Sequence, residues 1–421
     1  MQPEDKSRLR PQLNLFDAVA TGLAAILGAG IFSVIAPAAG IAGPAFLVSL
    51  SIAALIALCN ALSSAQLASI FPRSGGTYEF GRQVLGPWWG YLAGWMFLVA
   101  NTVGPGVIAL TFGYYLHGIF NTVPPRLAAV LIVLIVTAIN AAGIRRSVHV
   151  TDVIVILSIA SLVVVIIIGL PHGNPANFIP FAPFGFTGIL QATGLLFFAY
   201  TGYSRIATLV EEVHNPRRTI PRATVLALGA ATLLYLFVAG TAVAVLGSTK
   251  LSQSSSPLAA TMLALGSGIG PVIVSAGALL TTFNESLSDL LGVSRVAFAM
   301  SRVGDLPKRL AHLGPGKNPW LSVLFVGLIA AIVSLFFPFE SAIAVSSFGT
   351  LFYYSVTNLS VLKLQPNQRI YPRGLAIAGL VGCMGLSIAL PLQDIEVGVA
   401  IALAGIALRL IRVKTLLHKW W

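Results

Sequence analysis

The stretch Leu27-Gly28-Ala29-Gly30-Ile31-Phe32 decides how this chain is read. It lies inside the first long apolar segment, roughly 13–41, with two glycines one residue apart near its middle. Glycine weakens a helix interior and accepts non-helical backbone angles. A break at this point frees backbone N–H and C=O groups inside a bilayer. Such groups persist there only when buried in protein or lining a polar cavity. A helix broken at the membrane midplane offers the N–H groups of a new helix start to an anion and loose carbonyls to a cation. An α-amino acid carries both charges on one carbon, and the stretch fits it. The same glycines also suit close packing of two membrane helices, so the rest of the chain has to decide.

The composition sets the class. Of 421 residues, 57% are hydrophobic and 9% charged, whereas soluble domains carry about 25% charged residues. The chain reads as an all-α integral membrane protein embedded in the lipid bilayer. At about 20 apolar residues per span it has room for about ten to thirteen spans. No hydrophilic stretch is long enough to fold as a separate domain. The formal charge of +12 is dispersed among loops, which argues against nucleic acid as a partner. Cys59 and Cys383 both lie in apolar segments and form neither a metal-ligand spacing nor a disulfide framework. No cofactor is expected, and no metal site is certain. The first apolar segment is too long for a signal-peptide core and shows no convincing cleavage site, so it is expected to be a retained span.

Twelve spans are expected, at 15–40, 44–70, 88–117, 126–143, 149–170, 186–210, 222–246, 270–294, 320–337, 341–363, 374–391 and 395–412. The stretch 341–363 is interrupted by Ser346, Ser347 and Gly349. With the N-terminus in the cytoplasm, the outer loops hold only Arg126 and Lys250, while Arg73, Arg82, Arg145, Arg146, Arg217, Arg218, Arg222 and most other basic residues fall inside. This is the bias of cytoplasmic loops. It predicts a cell-membrane protein with cytoplasmic tails at 1–14 and 413–421.

Span 6 carries a second candidate break, Phe197-Phe198-Ala199-Tyr200-Thr201-Gly202-Tyr203. Spans 1 and 6 are five apart, so they hold equivalent places in two five-span repeats of opposite orientation, 15–170 and 186–363. Paired interruptions at corresponding positions point to a transporter binding site. Ionisable residues within spans cost about 2.5–3.5 kcal/mol each on insertion scales and are functional candidates by default. Arg205 follows the span 6 break. Glu285 and Asp289 lie four residues apart in the inner half of span 8, on one helix face. Either carboxylate forms a fixed ion pair with Arg205, or it exchanges a proton or binds a cation as an inner gate moves. Thr281 and Thr282 are further candidates for holding a cation such as sodium.

Together, the GAGIF run at 28–32, the PRSGGTYEF loop at 72–80, FFAYTGY leading into EEVHNPRRTIPRA at 197–223 and SRVAFAMSRVGDLP at 294–307 resemble the amino acid–polyamine–organocation transporter superfamily. The resemblance covers most of the first eight spans in order and spacing, and spans 9 to 12 match only in apolar layout. It implies a leucine-transporter-type fold of two inverted five-helix repeats plus two C-terminal helices at 374–412, and secondary transport of amino acids by alternating access. It further implies that the substrate carboxylate meets the N–H groups of Ala29 and Gly30 next to Gly28. The ammonium would meet the carbonyls of Ile26, Phe198 and Thr201, and Ala199 and Gly202 would line the same turn. Tyr200 and Tyr203 are then gate or pocket-wall candidates. Some proton-coupled relatives carry a lysine in span 5; the matching position here is Ser158, which leaves proton, sodium and exchange open. No acid lies above the span 6 break, which favours neutral, moderately apolar substrates, with cationic amino acids or polyamines as the alternative. An integral-membrane enzyme would need a cluster of acids, histidines or ligands at one face, but His117, His149, His172, His214, His312 and His418 are scattered. Nothing supports a channel.

Overall fold

A computed structural model describes residues 14–71, 76–143, 148–203, 213, 215–314 and 318–417. Among these residues there is no strand. The first apolar segment forms three helices, α1 (Leu15–Ile26), α2 (Ala29–Ser33) and α3 (Ile35–Ala42). The helices α4 (Phe46–Ile70), α5 (Thr77–Val84), α6 (Pro87–Ile119), α7 (Pro125–Ala141) and α8 (Val148–Gly169) follow. The segment of the second candidate break is α9 (Gly185–Leu196) running into a 3₁₀ coil at Phe197–Tyr203. The remainder is α10 (Pro216–Ser252), α11 (Pro257–Ala264), α12 (Gly270–Val303), α13 (Trp320–Phe336), α14 (Phe339–Lys363), α15 (Arg373–Ala389) and α16 (Leu392–Leu417).

The helix ends follow local chemistry. Asn14 caps α1 in a reciprocal box, its Oδ1 accepting from the Asp17 N–H at 3.1 Å while its own N–H donates to Asp17 Oδ2 at 3.0 Å. Proline opens α6, α7, α10 and α11 near their first turns, where its missing N–H costs nothing. The stretch at 341–363 is unbroken: Ser346 and Gly349 pack against α6, with Ser346 Oγ donating to Ala100 O at 2.9 Å. Its small polar residues therefore serve close approach. Half of the loop that follows α4 is itself helical, as α5.

The helices α5, α7, α12, α13 and α14 gather around α6, while α1 packs against α10. Outward faces are apolar: Leu55, Ile156, Ile167, Leu233, Leu328 and Ile388 are all exposed. Water would reject such a belt, whereas acyl chains accept it. Four helical stretches, 35–70, 87–119, 150–172 and 218–252, are each long and apolar enough to cross a bilayer. α15 and α16 make a further apolar pair turned by 115°.

Residues from two separate motif segments meet at one carboxylate. Asp305 accepts from the Tyr78 hydroxyl at 2.8 Å and pairs with Arg82 at 3.3 Å and Arg409 at 3.1 Å. The Arg409 guanidinium also lies over the rings of Tyr91 and Trp88, 4.5 and 5.0 Å from their centroids. This ties α16 to α5, to the start of α6 and to the end of α12.

Candidate functional site

The break expected in the first span is present. α1 ends at Ile26; Leu27 (φ −70°, ψ 100°) and Gly28 (φ −140°, ψ −165°) run extended, and α2 begins at Ala29. Through Val34, itself in right-handed helical geometry, α2 passes into α3, so the chain keeps a helical course from Ala29 to Ala42. The second piece is fixed to α6: Thr111 donates to Ser33 Oγ at 2.9 Å and the Tyr115 hydroxyl donates to Phe32 O at 2.7 Å.

The second interruption lies against the first at near-contact distance between backbones. A Cβ placed on Gly30 would come within 2.5 Å of both Cα and Cβ of Ala199. One placed on Gly202 would land on the Ala25 carbonyl. Glycine is required here by space, since both pieces of backbone must pass where a side chain would stand. Within the 3₁₀ coil the Thr201 hydroxyl donates to Phe198 O at 3.0 Å.

Side chains from two other helices reach the freed backbone groups. Glu285, from α12, accepts from the Ala29 N–H at 2.5 Å through Oε2. The hydroxyl of Tyr235, from α10, donates to Ile26 O at 2.8 Å and stands 3.4 Å from Ala199 O. The start of α2 thus holds a carboxylate, and the end of α1 a hydrogen-bond donor. The sequence placed Glu285 in the inner half of its span. Because α12 continues to Val303, Glu285 sits at mid-helix, level with the break. Asp289 is one turn further along the same face, and Arg205 lies outside the described residues. Tyr235 was not singled out from sequence, since a lone tyrosine in an apolar span carries no signal of what it meets.

The remaining candidates separate. Tyr200 is wholly buried, with its ring 5.5 Å from that of Tyr235, and so belongs to the break. Tyr203 packs instead on Tyr354 of α14, with ring centroids 5.1 Å apart. The hydroxyls of Ser158 and Thr281 are 2.6 Å apart and join α8 to α12. Thr282 turns back onto its own helix, donating to Ala278 O at 2.7 Å. Thr281 and Glu285 are four residues apart, so the hydroxyl pair and the carboxylate share one helix face.

Comparison with known proteins bears on the same breaks. Residues 13–408 match the family described as amino acid permease. The chain belongs to this family. The permease is 42% identical over 411 residues to an uncharacterized transporter of Mycobacterium tuberculosis (strain ATCC 25618 / H37Rv), covering 97% of this chain and 92% of that one. It is 29% identical over 401 residues to the branched-chain amino acid permease BcaP of Bacillus subtilis (strain 168), covering 90% and 86%. It is also 29% identical over 385 residues to cationic amino acid transporter 4 of Homo sapiens, covering 86% and 60%. The permease is therefore a membrane-embedded transporter and not an enzyme, and the superfamily resemblance read from its motifs holds.

Proposed function

We propose that this permease is a secondary active transporter of neutral, moderately apolar amino acids, working by alternating access around the paired breaks. The observation that carries the reading is the pairing of poles: a helix start at Ala29 that holds a carboxylate, beside the Ile26 carbonyl that holds a donor. An α-amino acid presents the same two groups. Its carboxylate would take the N–H groups of Ala29 and Gly30, and its ammonium the carbonyls of Ile26, Phe198 and Thr201, with Gly28, Ala199 and Gly202 leaving room and Tyr200 forming a wall. The relative named for branched-chain amino acids supports a neutral substrate. In this reading 15–170 and 186–363 are the two inverted repeats, and both termini are cytoplasmic.

Coupling to protons or sodium is assigned to the polar face of α12. Glu285 is its centre, Asp289 follows one turn along the same face, Thr281 and Thr282 precede it on α12, Ser158 of α8 meets Thr281, and Arg205 is a further charged candidate from the sequence. A second reading has support of its own: a carboxylate at the break and a relative named as a cationic amino acid transporter fit a substrate with a basic side chain.

The test is uptake of labelled amino acids into proteoliposomes, with unlabelled competitors. Leucine, isoleucine and valine should compete strongly, and their amides and N-acetyl derivatives should not, because each blocked form lacks one charge that the breaks recognise. Equal competition by the blocked forms would overturn the reading. Strong competition by lysine and arginine alone would select the second.

A further inference from the structure

The groups that satisfy the two poles of the break have the chemistry of the substrate itself. A helix start left bare at mid-membrane is costly, so something must occupy the Ala29 N–H when no amino acid is bound. Its occupant is Glu285, a carboxylate brought from 256 residues away on another helix, at 2.5 Å. The space it uses exists because residue 28 is glycine: a Cβ there would lie 2.5 Å from the Glu285 carboxyl carbon. At the opposite pole the Tyr235 hydroxyl gives its proton to Ile26 O. Beside Tyr235, with ring centroids 5.5 Å apart, Tyr200 is wholly buried and has a hydroxyl with no hydrogen-bond partner among the described residues.

We propose that Glu285 is a tethered stand-in for the substrate carboxylate, holding the Ala29 N–H in the empty permease, and that an amino acid binds by displacing it. The proposal rests on the break being the substrate site. It makes Glu285 a specificity residue by competition. A ligand with a carboxylate can replace it like for like at the helix start. A ligand without one leaves Glu285 in place and gains nothing from that pole. Tyr235 acts in the same way at the carbonyl, where a stronger donor, an ammonium, displaces a hydroxyl. The empty site stays closed on itself, with its poles paired until both ends of one molecule arrive.

The experiment is equilibrium binding of radiolabelled leucine to the purified full-length permease in detergent, in wild type, Glu285→Gln and Glu285→Asp, with leucinamide as an unlabelled competitor. A glutamine oxygen accepts only a neutral hydrogen bond, about half as strong as a charge-assisted one. An aspartate keeps the charge but is one methylene too short to hold the same contact. Both variants should bind leucine about tenfold more tightly than wild type, while the affinity for leucinamide should not rise. If one variant fails to fold, the other decides alone. A gain in affinity for the acid only is not an effect of a damaged fold. Unchanged or weaker leucine binding in the folded variants, with wild type binding leucine and Gly30→Ala impaired, would overturn the stand-in and leave the site in place. Failure of wild type to bind any amino acid, neutral or cationic, would remove the site and this proposal together.

Discussion

Gly30→Ala is the sharpest test of the paired breaks. The added methyl would come within 2.5 Å of Cα and Cβ of Ala199, whereas carbon atoms in comfortable contact sit about 3.5–4.0 Å apart. The two interruptions must therefore separate by about 1 Å at this point. Neither has slack: Gly202 lies against the Ala25 carbonyl, and α2 is held to α6 through Ser33 and Phe32. Overpacking of this kind costs about 1–3 kcal/mol, which a well-packed membrane bundle survives. Binding should suffer more. A shift of about 1 Å takes an N–H···O contact of about 2.9 Å out of hydrogen-bonding range. Losing one bond to a charged carboxylate is worth about 1.5–3 kcal/mol, or about 10–150-fold in Kd. The assay is binding of a labelled neutral amino acid to purified protein that elutes as a single species and keeps its helical circular dichroism. Gly30→Leu should abolish binding altogether. Gly292→Ala on α12, where an added Cβ meets nothing within 4 Å, is the control and should bind as wild type. A folded Gly30→Ala protein with unchanged Kd would refute the placing of the site at the breaks.

Two further outcomes follow from the polar groups. Glu285→Gln should retain substrate exchange but lose accumulation driven by an imposed proton or sodium gradient, measured in the same proteoliposomes; if the variant still concentrates substrate, coupling lies elsewhere, with Ser158 and the Thr281–Thr282 pair next in line. Asp305→Asn leaves Arg409 and Arg82, whose side chains are 14% and 28% exposed, without their carboxylate. It should lower stability by about 1–2 kcal/mol, between an exposed pair and a buried one; an unshifted thermal unfolding midpoint in detergent would show that the cluster is not structural.

The sequence carried the helices well because each is an apolar run bounded by proline, glycine or charge. The expected bounds 88–117 and 320–337 and the observed Pro87–Ile119 and Trp320–Phe336 differ by two residues or fewer. Both breaks were readable too, since Gly28 and the FFAYTGY run are local signals. Ser346, Ser347 and Gly349 misled as an interruption because a small polar residue that permits packing looks the same in sequence as one that permits unwinding. Whether the backbone unwinds depends on the neighbour, here Ala100 and Met96 of α6. What fills the breaks was not legible. The meeting of Glu285 with Ala29 depends on the register of two helices 256 residues apart, and that of Tyr235 with Ile26 on a third. The Asp305 cluster joins two motif segments that the sequence presents as unrelated. Position in the chain says nothing of such contacts until the bundle is assembled.

The contact between the two interruptions also bears on kinematics. A straight helix passes a tilt along its whole length, while an interrupted one can pivot where it is broken. Here both pivots coincide, with Gly202 seated on Ala25 and Gly30 on Ala199. The two interrupted segments then share one joint. Under the proposed alternating access, halves on one side of the membrane would swing without dragging those on the other, and they would swing together. A substrate bound there, as proposed, would need no relay to report its presence, because it would sit at the bearing about which the gates turn.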